Sequence, residues 1–153
     1  MSRKVSRDIP LAEITLRRYE KPYDLTDREL VKKVCLSLGL LQPGDSRDVI
    51  VDILSVLLNA KKRKRFLSSK DIEDNVIALR KENNLQLIGI ASSNIRRQIK
   101  RLKDLFLIET IDTSYRIVEF ENLNKIFEEK VESFYLKNIL SRVKEYLRAL
   151  EKE

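Results

Sequence analysis

Residues 92–109 read SSNIRRQIKRLKDLFLIE and contain the most informative pattern in the chain. Serine and asparagine side chains cap helix N-termini well, so the first three residues predict the start of a helix over residues 95–106. At 3.6 residues per turn, this helix has an apolar face and a face that carries five cations and one acid. The apolar face holds Ile95, Ile99, Leu102 and Phe106, and the outward side holds Ser93, Arg97, Lys100 and Asp104, flanked by Arg96, Arg101 and Lys103.

Three further helices are predicted upstream of this one. The capping-box spacing of Thr26 and Glu29 predicts a first helix, which should stop at Gly39. A second helix is predicted to begin at residues 45–46 and to bury a broad apolar stripe. A third is predicted to begin at residues 68–69, where two serines follow a short extended link.

Two β-rich runs follow the basic helix. Residues 107–111 and 115–119 are rich in isoleucine, valine and tyrosine, and an Asp-Thr-Ser sequence separates them. Short β-rich runs around a compact polar turn are typical of a hairpin, so we expect two antiparallel strands here.

Three other segments have patterns that fit more than one structure. Within residues 11–23, apolar and polar residues alternate over a few positions as in a short strand, although the flanking pattern is equally helical. Residues 84–91 fit either a buried loop or a short helix extension. Residues 122–153 are helical throughout, but the apolar stripe slips in phase between Phe134 and Leu136, which predicts a bend or two consecutive helices.

The composition excludes several classes of chemistry. The chain has 153 residues, no histidine, three glycines and one cysteine, Cys35. Without histidine it has no imidazole base, no Ser/His/Asp or Cys/His arrangement and no histidine metal ligand. A lone cysteine cannot form a zinc cluster, and a glycine-rich phosphate loop is missing. We therefore expect no enzyme activity, no cofactor and no metal.

The same composition indicates where the protein functions. A single cysteine in an apolar stretch is best explained as a small buried hydrophobe in a reducing compartment. No apolar run approaches the ~20 residues of a membrane helix, and the N-terminus lacks a signal-peptide pattern. We expect a soluble, cytoplasmic protein without membrane contact, and the surplus of Lys, Arg, Glu and aliphatic residues is compatible with a thermophilic source.

The positive charge is concentrated in one part of the chain. The formal net charge is +7, yet residues 61–103 alone contain 13 basic and 4 acidic residues, which is more than the whole excess. A localised positive field is the electrostatic footprint of a nucleic-acid binder, because phosphate neutralisation supplies most of the sequence-independent affinity. A charge run considered by itself would be explained more simply as a solvated face.

The order of elements over residues 45–120 resembles that of winged helix-turn-helix DNA-binding proteins, a family of prokaryotic and archaeal-type transcriptional regulators. The serine, the alternating basic and aliphatic residues and the Leu-Ile-Glu within residues 92–109 are similar to the family's recognition helix and the start of its wing. Many members have glycine where this chain has Phe106, which predicts a longer turn. The resemblance implies a mainly α fold with a small β-hairpin wing, divided into an N-terminal arm (1–25), a flanking helix (26–44), the winged helix-turn-helix domain (45–120) and a C-terminal helical segment (121–153).

The resemblance also implies that the basic helix enters the major groove of double-stranded DNA, where Arg and Lys read guanine and Asn reads adenine. Arg97 and Lys100, at the centre of the outward face, are expected to contact bases or nearby phosphates. Ser93 and Asn94 at the helix start suit a phosphate oxygen. Backbone contacts are expected from Arg96, Arg101 and Lys103, and a wing contact in the minor groove from Arg116. A second basic block either flanks the DNA backbone or stays in solvent, and it consists of Lys61, Lys62, Arg63, Lys64 and Arg65.

These observations lead to two hypotheses of function. The first is a nucleoid-associated DNA-binding transcriptional regulator that forms a homodimer through its C-terminal helices, as winged-helix regulators commonly do. The alternative is a winged-helix protein-interaction module in a replication, chromosome-organising or transcription-machinery complex. The cations on the outward face of the basic helix favour the first, because a docking module has no need of them there.

Overall fold

The computed structural model describes residues 8–152 and is mainly helical, with a small antiparallel sheet. This confirms the coarse prediction of fold class, while residues 1–7 of the predicted N-terminal arm lie outside the described part. The elements are α1 (Asp27–Ser37), α2 (Val49–Lys62), β1 (Leu67–Ser68), α3 (Ser69–Glu82), α4 (Ser92–Asp104), β2 (Ile108–Ile111), β3 (Ser114–Ile117), a 3-10 turn (Val118–Phe120), α5 (Leu123–Ile126), a π-helical segment (Phe127–Leu136) and α6 (Lys137–Glu151).

Local capping chemistry sets the starts of α1 and α3. Thr26 accepts a hydrogen bond from the backbone N–H of Glu29, whose carboxylate accepts the N–H of Thr26 at 2.8 Å. Ser68 and Asp71 form the same reciprocal pair at the start of α3. Each pair satisfies two N–H groups that the first turn of a helix leaves without partners, so both predicted starts are confirmed.

The predicted starts of α2 and α4 were each wrong by about three residues. The carboxylate of Asp45 accepts the backbone N–H of Arg47 within a turn, so α2 begins only at Val49. The fourth helix begins at Ser92, and in neither this helix nor α2 does the N-cap side chain accept a hydrogen bond from the first turn. A polar residue in a turn bonds its neighbouring backbone as readily as it caps a helix, and the sequence pattern does not separate the two uses.

The sheet has the strand order β1-β3-β2, and both pairings are antiparallel. The predicted hairpin is confirmed, and its turn consists of two residues, Asp112 and Thr113, which both have positive φ angles (51° and 64°). Such a turn matches the right-handed twist of the two strands. The extended link before α3 becomes β1, which pairs Leu67 with Tyr115 and so ties the first half of the fold to the hairpin.

Phe106 forms a tight turn between α4 and β2, so the predicted longer turn was wrong. Its φ of 66° lies in the left-handed region that glycine usually occupies. The N–H groups of Phe106 and Leu107 reach the carbonyls of Lys103 and Leu102, which is the Schellman pattern of hydrogen bonds. The Phe106 ring packs edge-on against Tyr135 at 5.2 Å, and this contact offsets part of the cost of the strained backbone.

The core lies between α2 and the elements around it. Nearly the whole of α2 is buried, α1, α3, α4 and β3 pack against it, and Ile108 of β2 belongs to the same apolar cluster. Of the predicted apolar face of α4, Ile95, Ile99 and Leu102 are buried, whereas Phe106 follows the helix and is partly exposed. Residues 84–91 form a loop whose residues are all exposed or half-buried, so neither the buried loop nor the helix extension that the pattern allowed is correct.

The segment before α1 forms neither of the two structures that its pattern allowed. Residues 8–25 have no helix or strand and run along the end of α1. Arg17 holds this segment in place, because its backbone N–H reaches Ser37 at 2.8 Å and its guanidinium reaches the carbonyls of Leu36 and Leu41. Hydrogen bonds to the carbonyls at a helix end satisfy acceptors that the helix itself cannot, so this coil is part of the fold.

Residues 123–151 are helical in three consecutive parts, which are α5, the π-helical segment and α6. Helical backbone angles persist at both ends of the π-helical segment, and the change from π to α register falls between Leu136 and Lys137, next to the predicted phase slip. The wider π register absorbs the phase slip between Phe134 and Leu136 without interrupting the helix. Within residues 8–152, no helix combines the length and apolar character that a membrane crossing requires.

A buried ion cluster joins α1, α2 and α3, and the sequence did not predict it. Asp52 is 0 % exposed and Arg80 is 2 % exposed, although both carry charge. Arg80 donates to Asp52 at 2.5 Å and to Asp48 at 3.1 Å, and Arg28 pairs with the same two carboxylates. Two cations and two anions thus neutralise one another, and Arg80 also donates to the carbonyl of Gln86 at 2.7 Å. Complete pairing of this kind is what a buried charge requires.

Cys35 gives a direct chemical test of the core. It is fully buried, and burial raises the pKa of its thiol to about 12. Because the thiolate is the reactive form, only about 0.01 % of the thiol is available at pH 8 even before steric exclusion. We expect no alkylation by iodoacetamide in the folded protein and complete alkylation in 6 M guanidinium, as measured by mass spectrometry. Rapid labelling under native conditions would contradict this packing.

Candidate nucleic-acid interface

The cations of α4 lie on the side opposite its buried face. Ile95, Ile99 and Leu102 turn one side of the helix into the core against α2 and α3. Arg96, Arg97, Lys100 and Lys103 are all exposed, and Ser93 is exposed in the first turn. With four cations on one helix face, α4 presents the concentrated positive charge that the sequence predicted.

The exposed cations differ in how firmly they are held. Lys100 pairs with Asp104 at 2.8 Å, and both side chains are largely in solvent. An exposed pair of this kind contributes between zero and about 1 kcal/mol, so Lys100 can exchange Asp104 for another anion at little cost. Arg96 and Lys103 form no ion pair with any acid among residues 8–152.

Asn94 holds α4 to the loop before it. Its side-chain N–H donates to the carbonyl of Gly89 at 2.7 Å, and its oxygen accepts from Arg97 at 2.6 Å and Gln98 at 3.2 Å. Gly89 has a φ of 74°, and a Cβ there would lie 3.2 Å from the Asn94 amide nitrogen. Both ends of the Asn94 amide therefore have partners within the protein, and one of them orients Arg97.

Arg101 is directed toward the body of the protein. Its guanidinium donates to the carbonyl of Gly39 at 3.1 Å and to the side-chain oxygen of Gln98 at 2.9 Å. The residue is half-buried, unlike its neighbours Lys100 and Lys103. Arg101 thus fastens α4 to the loop after α1, and the structure does not bring it to the outward face.

Arg116 is held on the sheet by two aromatic rings and a carboxylate. Its guanidinium lies 4.9 Å from the Phe66 ring and 4.8 Å from the Phe120 ring, and it pairs with Glu109 at 2.8 Å. Cation–π contacts and a partly buried ion pair together fix a guanidinium strongly. Its side chain is 19 % exposed, and the tip of the hairpin is formed instead by Asp112 and Thr113.

The basic block over residues 61–65 lies where α2 ends and turns toward β1. Lys61 donates to the backbone carbonyl of Glu121 at 3.3 Å, while the other four side chains are exposed. None of the five forms an ion pair with an acid in the described part of the chain. The contact between Phe66 and Phe120 places this block beside the exit from β3, at the far end of the hairpin from its turn.

Residues 8–152 contain no group of three His, Cys, Asp or Glu side chains that could hold a metal ion.

Comparison of the chain with models of protein families, with curated protein sequences and with solved structures finds no match in any of the three.

Proposed function

We propose that the protein is a DNA-binding transcriptional regulator that places α4 in the major groove of double-stranded DNA. The order of helices and strands between residues 45 and 120 is the order on which the resemblance to winged helix-turn-helix proteins was based. The observation that carries the proposal is the exposed row of cations on α4, opposite a face that is wholly buried. A helix of this width and charge fits the major groove of B-DNA.

The hydrogen bonds divide the α4 side chains into two groups. Arg97 and Lys100 occupy the centre of the exposed face and are the proposed groove contacts, and Arg96, Lys103 and Ser93 are proposed to contact the phosphate backbone nearby. The roles proposed for Asn94, Arg101 and Arg116 are to orient α4 and the hairpin, because their polar groups have partners inside the protein.

A salt series on random duplex DNA tests this proposal. We expect log affinity to fall linearly with log salt, because each phosphate contact releases counterions. The Arg97→Ala, Lys100→Ala double variant should bind about 10- to 100-fold more weakly at 0.1 M salt and show a shallower slope. Fluorescence anisotropy with a labelled duplex gives both quantities.

The matched control removes two cations from the C-terminal helix, Lys130→Ala with Arg148→Ala, both of which are exposed. It changes the net charge equally and should leave the salt slope of the parent almost unchanged. A parent whose affinity does not depend on salt, or a double α4 variant that binds like the parent, would rule out the DNA-binding function.

We further propose that two copies associate through α6. Beyond residue 139 its apolar side chains form a stripe at helical spacing with exposures of 49–80 %, and the stripe consists of Leu140, Val143, Tyr146, Leu147 and Leu150. Exposed apolar area of this kind is typical of an interaction site. A second copy presents an identical stripe, and a two-fold dimer would bind two half-sites of a palindromic operator.

A further inference from the structure

A cleft lies between α4, with the loop before it, and the loop that joins α1 to α2. Apolar side chains line it together with a polar rim, which carries three guanidinium groups, three amides, one carboxylate and one hydroxyl. Two of the guanidiniums come from α4, and the third comes from Arg47, two residues before α2 begins. The rim consists of Gln42, Asp45, Ser46, Arg47, Asn94, Arg97, Gln98 and Arg101.

The α4 side of this rim is held in place by a chain of hydrogen bonds. Arg101 donates to the carbonyl of Gly39 and to the side chain of Gln98. The side-chain oxygen of Asn94 accepts hydrogen bonds from both Gln98 and Arg97. Groups that are already oriented lose little side-chain entropy when a ligand binds. Arg97 and Arg101 keep guanidinium N–H groups that these bonds do not use, so the cleft presents oriented donors, and only one acid, Asp45, lies on its rim.

Arg47 brings an exposed cation to the opposite side of the cleft. Its backbone N–H is bonded to the Asp45 carboxylate, which fixes the position of the residue in the loop. Its guanidinium has no hydrogen-bond or ion-pair partner among residues 8–152. Arg47 thus faces Arg97 and Arg101 across a gap with a donor set suited to an anion whose oxygens accept several N–H groups.

We infer that this cleft binds a phosphodiester group of the DNA backbone and that Arg47 is a DNA-binding residue outside α4. The inference rests on the proposed DNA-binding function, and Arg97 links the two, since it belongs both to the exposed face of α4 and to the rim of the cleft. A phosphate beside the groove is a natural occupant of such a site, because phosphate contacts fix the register of a helix on the duplex.

The test compares Arg47→Gln with Arg148→Gln, which removes the same charge from α6. For Arg47→Gln we expect the slope of log affinity against log salt to become shallower by about 0.9, the value for one phosphate, on every duplex sequence tried. The control should keep the parent slope. A parent-like slope for Arg47→Gln, with salt-dependent binding by the parent, would overturn this inference alone, whereas a parent without salt-dependent binding would overturn the proposed function as well.

A second arm distinguishes a backbone phosphate from a free one. Inorganic phosphate is titrated into the parent and into Arg47→Gln at constant ionic strength, with the arginine side-chain resonances followed by NMR. We expect no saturable binding below 10 mM in either protein. Saturation at lower concentration in the parent, lost in Arg47→Gln together with an unchanged DNA slope, would assign the cleft to a small phosphorylated ligand and overturn the inference.

Discussion

Replacing Arg80 by methionine is expected to lower the free energy of unfolding by about 3–5 kcal/mol. Arg80 is 2 % exposed and donates to Asp52, Asp48 and the carbonyl of Gln86. Its removal leaves two carboxylates to share Arg28 alone, and one of them, Asp52, is 0 % exposed. The cost is that of a buried charge without sufficient compensation, and it is measured by urea denaturation followed by circular dichroism.

Two further variants distinguish this mechanism from a general loss of packing. Lys81→Met changes the exposed neighbour on the same helix and should alter the free energy of unfolding by less than about 0.5 kcal/mol. Adding Asp52→Leu to Arg80→Met restores neutrality, because Arg28 and Asp48 then remain as one pair. The double variant should be more stable than Arg80→Met, and a less stable double variant would contradict the account.

The cluster also affects the candidate site through the start of α2. Asp48 stands at the N-cap of α2, but its carboxylate bonds to Arg28 and Arg80 and makes no cap hydrogen bond. The ion pairs therefore fix the first residue of α2, and with it the loop that carries Arg47 to the rim of the cleft. The buried ion cluster is therefore joined to the rim of the cleft through two adjacent residues, Asp48 and Arg47.

Local patterns explain which parts of the fold were predictable. The starts of α1 and α3 depend on pairs three residues apart, Thr26 with Glu29 and Ser68 with Asp71, so the sequence contains all the information that sets them. The ion cluster depends on the contact between Asp52 and Arg80, which are 28 residues apart in sequence. Its only sign in the sequence is the presence of an acid, Asp52, in an otherwise apolar part of α2. The π-helical segment escaped prediction because periodicity arguments assume 3.6 residues per turn throughout.

The candidate site divides in the same way. The cationic face of α4 follows from helical spacing alone, and the structure has Arg97 and Lys100 exposed on that face. The partners of Arg101 and Arg116 could not be predicted, because Gly39 lies 62 residues from Arg101, and Phe66 comes to Arg116 only through the pairing of β1 with β3. Charge and periodicity predict the helix face on which a cationic side chain lies, whereas tertiary contacts determine which groups that side chain binds.

The substitution Leu147→Glu in α6 is expected to convert a dimer into a monomer. Leu147 is 57 % exposed within the apolar stripe of a helix whose residues beyond 139 are all exposed. In a two-fold dimer the substitution occurs twice, and each leucine removed from an apolar contact costs roughly 1.5–3 kcal/mol. We expect self-association to weaken by about 1,000-fold, as measured by sedimentation equilibrium across a micromolar range.

Ser141→Glu adds the same charge about 160° around the helix from the centre of the stripe and should leave the dimer intact, because Ser141 is exposed outside the stripe. Leu147→Glu should unfold at the same urea concentration as a monomeric parent at high dilution, since α6 packs no side chain beyond residue 139 into the core. Its affinity for a palindromic duplex should fall to that of a single half-site, because the second half-site no longer benefits from a tethered partner.

A parent that sediments as a monomer at micromolar concentration would contradict the dimer and would favour docking of α6 on a different protein, as in an interaction module.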